Sequence, residues 1–90
     1  MTTVTNVADF NTAIVQGVDA LTISGDVATG STFNLQGKTI TNLTIDLTGM
    51  TNAETITLTN GSVKNLTIKD KTDVTLNVNN VVVENRTILN

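Results

Sequence analysis

The triplet Leu21-Thr22-Ile23 returns three more times along this 90-residue chain, and its returns decide the fold. The later copies are Leu43-Thr44-Ile45, Leu66-Thr67-Ile68 and Arg86-Thr87-Ile88. The triplet recurs at intervals of roughly 20 residues. Such a period is typical of a solenoid, in which each repeat stacks on the next. The triplet also alternates apolar and polar residues, which predicts a strand with one buried face.

Two further groups of short segments keep step with the triplet. The first is Thr32-Phe33-Asn34-Leu35, Thr55-Ile56-Thr57-Leu58 and Thr75-Leu76-Asn77-Val78; the second is Thr39-Ile40-Thr41, Ser62-Val63-Lys64 and Val82-Val83-Glu84. Both groups alternate in the same way, so each repeat contains three short strands that close into one coil of a parallel solenoid. Because parallel crossovers are overwhelmingly right-handed, we expect an all-β fold: a short right-handed parallel β-helix of about three coils.

The bends between the strands carry residues that suit them. One bend of each repeat holds a residue that enters the left-handed backbone region readily: Gly37, Asn60 and Asn80. We therefore expect this bend to be made in the same way three times. A second bend holds an amide in every repeat: Asn42, Asn65 and Asn85. Their side chains are expected to form a hydrogen-bonded ladder along the stack.

Apolar residues fall in five columns that are expected to face the core. These columns are Leu21/Leu43/Leu66, Ile23/Ile45/Ile68/Ile88, Phe33/Ile56/Leu76, Leu35/Leu58/Val78 and Ile40/Val63/Val83. Arg86, at the foot of the first column, departs from this pattern.

The residues before the first coil follow a helical period. Val7, Phe10 and Ile14 recur at helical spacing, Asn6 is placed as the N-cap, and Gly17 as the stop. We expect residues 1–17 to form an N-terminal arm and a capping α-helix, and residues 18–90 to form the coils of the same single domain. The terminal repeat of a solenoid needs such a cap.

An amphipathic N-terminal helix followed by coils with an asparagine ladder resembles the right-handed parallel β-helix, or pectin-lyase-like, superfamily. The resemblance covers residues 6 to 90. It implies the architecture more specifically than the activity, because the superfamily includes polysaccharide lyases, hydrolases, and phage tailspike and fibre modules. The small Cys-free chain is most like the phage virion modules.

The composition excludes several classes of function. Without Cys or His, the chain has no disulfide, thiol nucleophile or His-centred acid–base pair. A net charge of −3 with five scattered basic residues does not favour nucleic acid as a partner. No apolar run is long enough to span a membrane, and the N-terminal residues do not resemble a signal peptide. We expect no membrane partner and a soluble protein that is cytoplasmic on synthesis.

The enzymes of the resembled superfamily use carboxylates on an outer groove, with calcium or as acid–base pairs. The carboxylates available here on the loop of variable length are Asp26, Glu54, Asp70 and Asp73. They are interpreted as a solvated corner, because a rod of about three coils offers too little wall for a deep pocket. We expect no catalytic residue, no cofactor and no metal site, although a small lyase-like enzyme or its remnant stays an alternative.

A threonine-rich face suggests another alternative, a binding module. The strand at 55–59 carries outward threonines at Thr55, Thr57 and Thr59, which resembles the flat face of ice-binding solenoids. Amides interrupt the array on neighbouring strands, and threonine is also simply favoured on exposed strands. A carbohydrate-binding solenoid is a related alternative, although both Phe are expected to be buried. A designed or consensus solenoid also stays open.

The lower end of the stack is the most informative feature for function. The repeat breaks off after Asn90, so we expect no cap below the third coil, unless the last strand and tail cover the core themselves. An uncovered edge invites a partner. The candidate partner interface is the lower edge with the threonine face: Val82, Arg86, Ile88, Leu89, Thr55, Thr57 and Thr59. The leading expectation is a non-enzymatic structural or assembly protein of a phage virion, either a head-decoration (cement) or a fibre protein. It would be located in the virion and contact itself, as a homotrimer, or the capsid shell.

Overall fold

A computed structural model describes residues 2–24, 30–48, 54–69 and 74–89 of the chain. Within these ranges the chain forms one short helix and six strands. In chain order they are β1 (Thr2–Val4), α1 (Val7–Val15), β2 (Ala20–Ser24), β3 (Ser31–Asn34), β4 (Thr39–Asp46), β5 (Glu54–Lys69) and β6 (Val74–Leu89). The expected all-β class is confirmed.

The six strands pair in parallel within one sheet, which curls on itself. β2 pairs with β4, β4 with β5, and β5 with β6, and the triplets lie side by side in these pairs. One row of partners is Leu21, Leu43, Leu66 and Arg86; another is Ile23, Ile45, Ile68 and Ile88. The repeat in the sequence therefore corresponds to the register of the sheet.

The partners of β3 differ from those that the repeat predicts. Phe33 pairs with Leu58, not with Ile56, and the predicted pairing of Leu35 with Leu58 is therefore wrong as well. The shift is one full period of a strand, so the inward residues remain inward. Phe33 and Leu58 are both fully buried.

A longer turn after β3 causes this shift. Phe33 and Ile40 are farther apart along the chain than their partners Leu58 and Val63. Leu35 lies within the longer turn, is fully buried, and donates its amide to the Thr59 carbonyl at 2.8 Å. The turn thus buries an additional leucine instead of copying the tighter turn below it.

The bends differ in the same place. The turn after β3 contains two successive left-handed residues, Gln36 (φ 54°) and Gly37 (φ 75°). The bends in β5 and β6 contain one each, Asn60 (φ 57°) and Asn80 (φ 58°). Gly, Asn and Asn are left-handed as expected, but the prediction of three identical bends is wrong for the first.

Local hydrogen bonds fix both ends of α1. The Asn6 side chain accepts from the Asp9 amide at 2.8 Å and caps the N-terminus. At the other end the Gly17 amide donates to the Ile14 carbonyl and the Val18 amide to the Ala13 carbonyl, both at 3.1 Å, and Gly17 has a φ of 78°. This pair of bonds is a Schellman motif, which stops the helix where glycine can adopt a left-handed backbone.

The helix buries one face against the start of the sheet. Phe10, Ala13 and Ile14 are buried, and the Phe10 ring meets Phe33 edge to face, with the ring centroids 5.0 Å apart and the planes at 68°. Strand β1, which the sequence interpretation treated as an arm, pairs in parallel with β2 and places the buried Val4 beside Ile23. A strand and a helix therefore lie together at one end of the sheet.

Candidate association surface at the edge of β6

Strand β6 lies at the end of the sheet opposite β1. It pairs with β5 along both strands in a single register, from Glu54 beside Val74 to Lys69 beside Leu89. Among the described residues, no strand pairs with the other side of β6. We call that side, which faces away from β5, the β6 edge. Its backbone groups on this side are free to pair with another strand.

Burial falls sharply between β5 and β6 within the same inward columns. Ile68 is 2% exposed, whereas its partner Ile88 is 47% exposed. Two outward residues of β6 are also apolar and exposed: Val82 is 66% exposed and Leu89 is 47% exposed. The difference within a column arises because β5 is covered on both sides and β6 is covered on one.

A shallow groove of about 240 Å³ runs along the β6 edge. Its lining combines a valine floor with two charged residues: Val78, Val81, Val83, Glu84 and Arg86. The valines are half-buried, and the two charged residues are exposed. The groove therefore has an apolar floor and carries one acidic and one basic side chain.

Arg86 lies where the first inward column would continue. Its partner in β5 is Leu66, which is 1% exposed. A charged residue at an inward position of an edge strand opposes indiscriminate pairing with other edges. Arg86 therefore favours a partner that supplies a place for its charge.

The asparagines of the second bend form a ladder. Asn65 donates from Nδ2 to Asn42 Oδ1 at 3.2 Å, and Asn85 donates in the same way to Asn65 Oδ1 at 3.2 Å. Each donor also approaches a backbone carbonyl of the strand beside it, Thr41 at 3.3 Å for Asn65 and Lys64 at 3.4 Å for Asn85. The ladder joins β4, β5 and β6 at one corner.

The other bend is joined by fewer side-chain bonds. Asn80 donates from Nδ2 to Asn60 Oδ1 at 3.1 Å. Gly37 has no side chain to contribute and instead donates its amide to the Asn60 carbonyl at 2.7 Å. These bonds help to hold the strands in register.

The threonines proposed as part of the interface lie apart from the groove. Thr55, Thr57 and Thr59 are on β5, which lies between β3 and β6, and all three are half-buried there. The partners of Thr59 are Asn34 and Asn79, so amides flank this end of the row on both sides. The structure thus brings together Val82, Arg86, Ile88 and Leu89 on β6, and it places the threonines on a different strand.

Two carboxylates accept hydrogen bonds that join neighbouring parts of the backbone. Asp19 accepts from the Thr41 hydroxyl at 2.8 Å and from the Thr41 amide at 3.0 Å, and these bonds lower the pKa of its carboxyl below the ordinary value. Asp46 accepts in the same way from the Thr48 hydroxyl and amide, which lowers its pKa as well. As carboxylates, Asp19 therefore joins the chain before β2 to β4, and Asp46 stabilises the turn that follows β4.

Other expectations concern metals, catalysis and membranes. Asp26, Asp70 and Asp73 lie outside the described residues. Within the part of the chain that the structure describes, no group of three or more acidic, His or Cys side chains could hold a metal ion. In the same part of the chain, no helix is long and apolar enough to cross a membrane.

Sequence reasoning missed two features of the fold. One is β1, whose three residues are too few to show the repeat. The other is Gly61, where an added Cβ would lie 2.4 Å from Leu35 Cβ and 2.7 Å from the Lys38 carbonyl oxygen. The adjacent Asn60 explained the bend and hid the separate, steric reason for the glycine.

Comparison with known proteins finds no counterpart, since no protein-family model, no curated protein and no solved structure matches the chain.

Proposed function

We propose that the curled sheet is a short right-handed parallel β-helix of about three coils, capped by α1. The support is the order in which residues pair in parallel: Thr2 with Leu21, Leu21 with Leu43, and Leu66 with Arg86. A chain that meets itself in parallel at near-constant intervals, here roughly 20 residues each time, is winding. Right-handedness follows from the strong preference of parallel crossovers.

The function we propose is that of a non-enzymatic structural or assembly protein, which docks onto a protein partner through the β6 edge. One observation carries it: the long edge strand has an apolar groove along it, and Val82, Ile88 and Leu89 are exposed there. Fully burying an aliphatic side chain stabilises by about 1.5–3 kcal/mol, so each half-exposed residue offers roughly 1 kcal/mol to a complex. New backbone hydrogen bonds along the edge would add to this and fix the register.

The resemblance to small virion β-helix modules suggests the setting. We propose a phage virion component, a head-decoration (cement) or fibre protein, on that resemblance alone. In a virion many shallow contacts add up through symmetry and multivalency. A homotrimer about the long axis would use the side face at Thr55, Thr57 and Thr59, and it would leave the β6 edge for a further contact.

The experiment compares two valine-to-lysine variants by sedimentation velocity, alone and with virion particles. Val82 and Val15 are 66% and 68% exposed, and they lie on β6 and on α1 respectively. Val82→Lys places a charge at the β6 edge, whereas Val15→Lys makes the same change on the helix. We expect the wild type and V15K to sediment in a species larger than the monomer in at least one condition, and V82K to sediment more as monomer. A wild type that stays monomeric in both, or equal behaviour of the two variants, would overturn the proposal.

A further inference from the structure

We propose that the partner at the β6 edge is a second copy of this chain, bound tail to tail about a two-fold axis. In this dimer the segment Val81–Ile88 of one protomer pairs antiparallel with the same segment of its partner. The inference rests on the proposed docking at the β6 edge and names its occupant.

The first support is a symmetry in how β6 presents its side chains. The inward positions are those stacked beside Gly61 and the buried Val63, Leu66 and Ile68, namely Val81, Val83, Arg86 and Ile88. Val82 and Thr87, stacked beside Ser62 and Thr67, point outward and are exposed or partly exposed. The order inward, outward, inward therefore reads the same in both directions from a point between Glu84 and Asn85.

Antiparallel pairing of identical strands requires such a symmetry. Residues directly opposite each other in an antiparallel pair point to the same face of the sheet. A two-fold axis between positions 84 and 85 satisfies this rule for every inward and outward residue of the segment. The resulting opposite pairs are Val81 with Ile88, Val82 with Thr87, and Val83 with Arg86.

The side chains in these pairs are also complementary. Val81 would meet Ile88 across the interface, and both are apolar residues that pack against the end of the core or stack beside it. Val82 and Thr87 are both β-branched, a combination that packs well across strands. Two of the three pairs therefore match in shape, and the pair of Val81 with Ile88 also matches in polarity.

Arg86 makes the third pair, and the groove supplies what its charge needs. The stem of an arginine can lie along an apolar surface while its head stays in water, so Arg86 can cover the partner's exposed valine floor. Glu84 lines the same groove as Arg86, which gives each protomer one acid and one base beside the axis. The two-fold axis places the acid of one protomer near the base of the other, twice.

The opposite end of the molecule does not offer an equivalent site for head-to-tail stacking. The outer strand there is β1, which is far shorter than β6, and α1 packs beside it. A head-to-tail contact would leave most of the β6 edge unpaired and would also continue without limit, whereas a two-fold contact closes.

The register can be tested by cysteine cross-linking, because the natural chain has no cysteine. The two single variants are Val82→Cys and Thr87→Cys, both at outward positions of β6. Across the proposed dimer, positions 82 and 87 are opposite, with Cβ atoms about 5 Å apart. Two copies of the same position would be offset along the strands by more than about 10 Å, even around the bend, which exceeds the reach of a disulfide at about 7 Å between Cα atoms.

We expect a covalent dimer after mild oxidation of the mixed variants, with twice the mass of the chain, and only traces with either variant alone. Equal cross-linking in the mixture and in the single variants, or none in the mixture, would overturn the inference. The sedimentation experiment separates this failure from that of the proposed function. If wild type alone is monomeric but joins particles in a way that V82K abolishes, the edge docks another protein and the second copy is wrong.

Discussion

Replacing Gly61 with alanine is expected to destabilise the protein by about 3 kcal/mol or more, for a steric reason. The added Cβ would lie 2.4 Å from Leu35 Cβ and 2.7 Å from the Lys38 carbonyl oxygen, where carbon atoms in contact normally keep about 3.5–4.0 Å. The atoms that obstruct it belong to, or are fixed to, the backbone. Overpacking typically costs about 1–3 kcal/mol, and a site that cannot move aside lies at or beyond the upper end.

The backbone around Gly61 is held on both sides of the obstruction. The Leu35 amide donates to the Thr59 carbonyl at 2.8 Å, and the Ser62 amide donates to the Lys38 carbonyl at 3.0 Å. Moving the longer turn away from β5 would weaken these bonds. The residue paired with Gly61 in β6 is Val81. The equivalent position in β6 therefore accepts a side chain, because β5, and not the longer turn after β3, lies beside it.

The assay is urea denaturation followed by far-UV circular dichroism, since the chain has no Trp or Tyr for fluorescence. When the same signal is followed during heating, a loss of about 3 kcal/mol lowers the Tm of a domain of this size by roughly 12–24 °C. The matched control is Gly37→Ala in the same turn, where an added Cβ meets nothing within 4 Å and φ is 75°. This control carries only the conformational cost of a left-handed alanine, about 1–2 kcal/mol.

Alanine normally stabilises a strand relative to glycine by about 0.5–1 kcal/mol, because glycine loses more freedom on folding. A Gly61→Ala variant as stable as the wild type, or less destabilised than Gly37→Ala, would therefore refute the steric reasoning and the longer turn on which it rests.

Three further predictions concern stability. Asn65→Ala removes ladder bonds to both neighbours, each worth about 0.5–1.5 kcal/mol, whereas Asn85→Ala removes bonds on one side only. Urea titration should therefore show a larger loss in the free energy of unfolding for Asn65→Ala, and an equal loss would contradict the ladder. The hydroxyl and amide of Thr41 lower the folded-state pKa of Asp19, so the contribution of Asp19 to stability is present above its unfolded-state pKa and is lost as the pH falls through its folded-state pKa. Asp19→Asn should therefore flatten the acid limb of the stability–pH curve, and an unchanged limb would argue against this role of Asp19. Gln36→Gly should raise Tm, because Gln36 has a φ of 54° and a left-handed residue other than glycine costs about 1–2 kcal/mol, whereas the entropy cost of glycine is roughly 0.5–1 kcal/mol. A lower Tm would show that contacts of the Gln36 side chain contribute more than this difference.

The sequence was sufficient where each repeat uses the same local geometry. The triplets pair as the alignment predicts, because alternation and column identity leave one register that keeps every apolar residue inward. The capping helix was predictable for a different reason, since Asn6 and Gly17 act through nearly adjacent residues. Local signals of this kind survive whatever the rest of the chain does.

The sequence was insufficient where the repeat changes length. A shift by one full strand period preserves the alternation, so the pattern around Phe33 fits either of two registers equally well. The contact between Leu35 and the backbone at Gly61 distinguishes them, and that contact joins positions in different sequence repeats, far apart along the chain. A single sequence does not reveal such a pair.

The candidate surface was predicted in part. Val82, Arg86, Ile88 and Leu89 come together on β6, because one strand carries them all. The threonines on β5 were grouped with them because they form a threonine-rich outer face. The participation of Glu84 in the groove was not predicted from the sequence.

Amide hydrogen exchange measures the proposed association through the β6 edge without altering the chain. Exchange is followed residue by residue in the dilute protein and in its associated form, whether that form is the dimer or the complex with particles. We predict that association slows the exchange of amides within Val81–Leu89 and leaves those of α1 unchanged. Association accompanied by protection of α1 or of the threonine face, with no change in Val81–Leu89, would contradict association through the β6 edge.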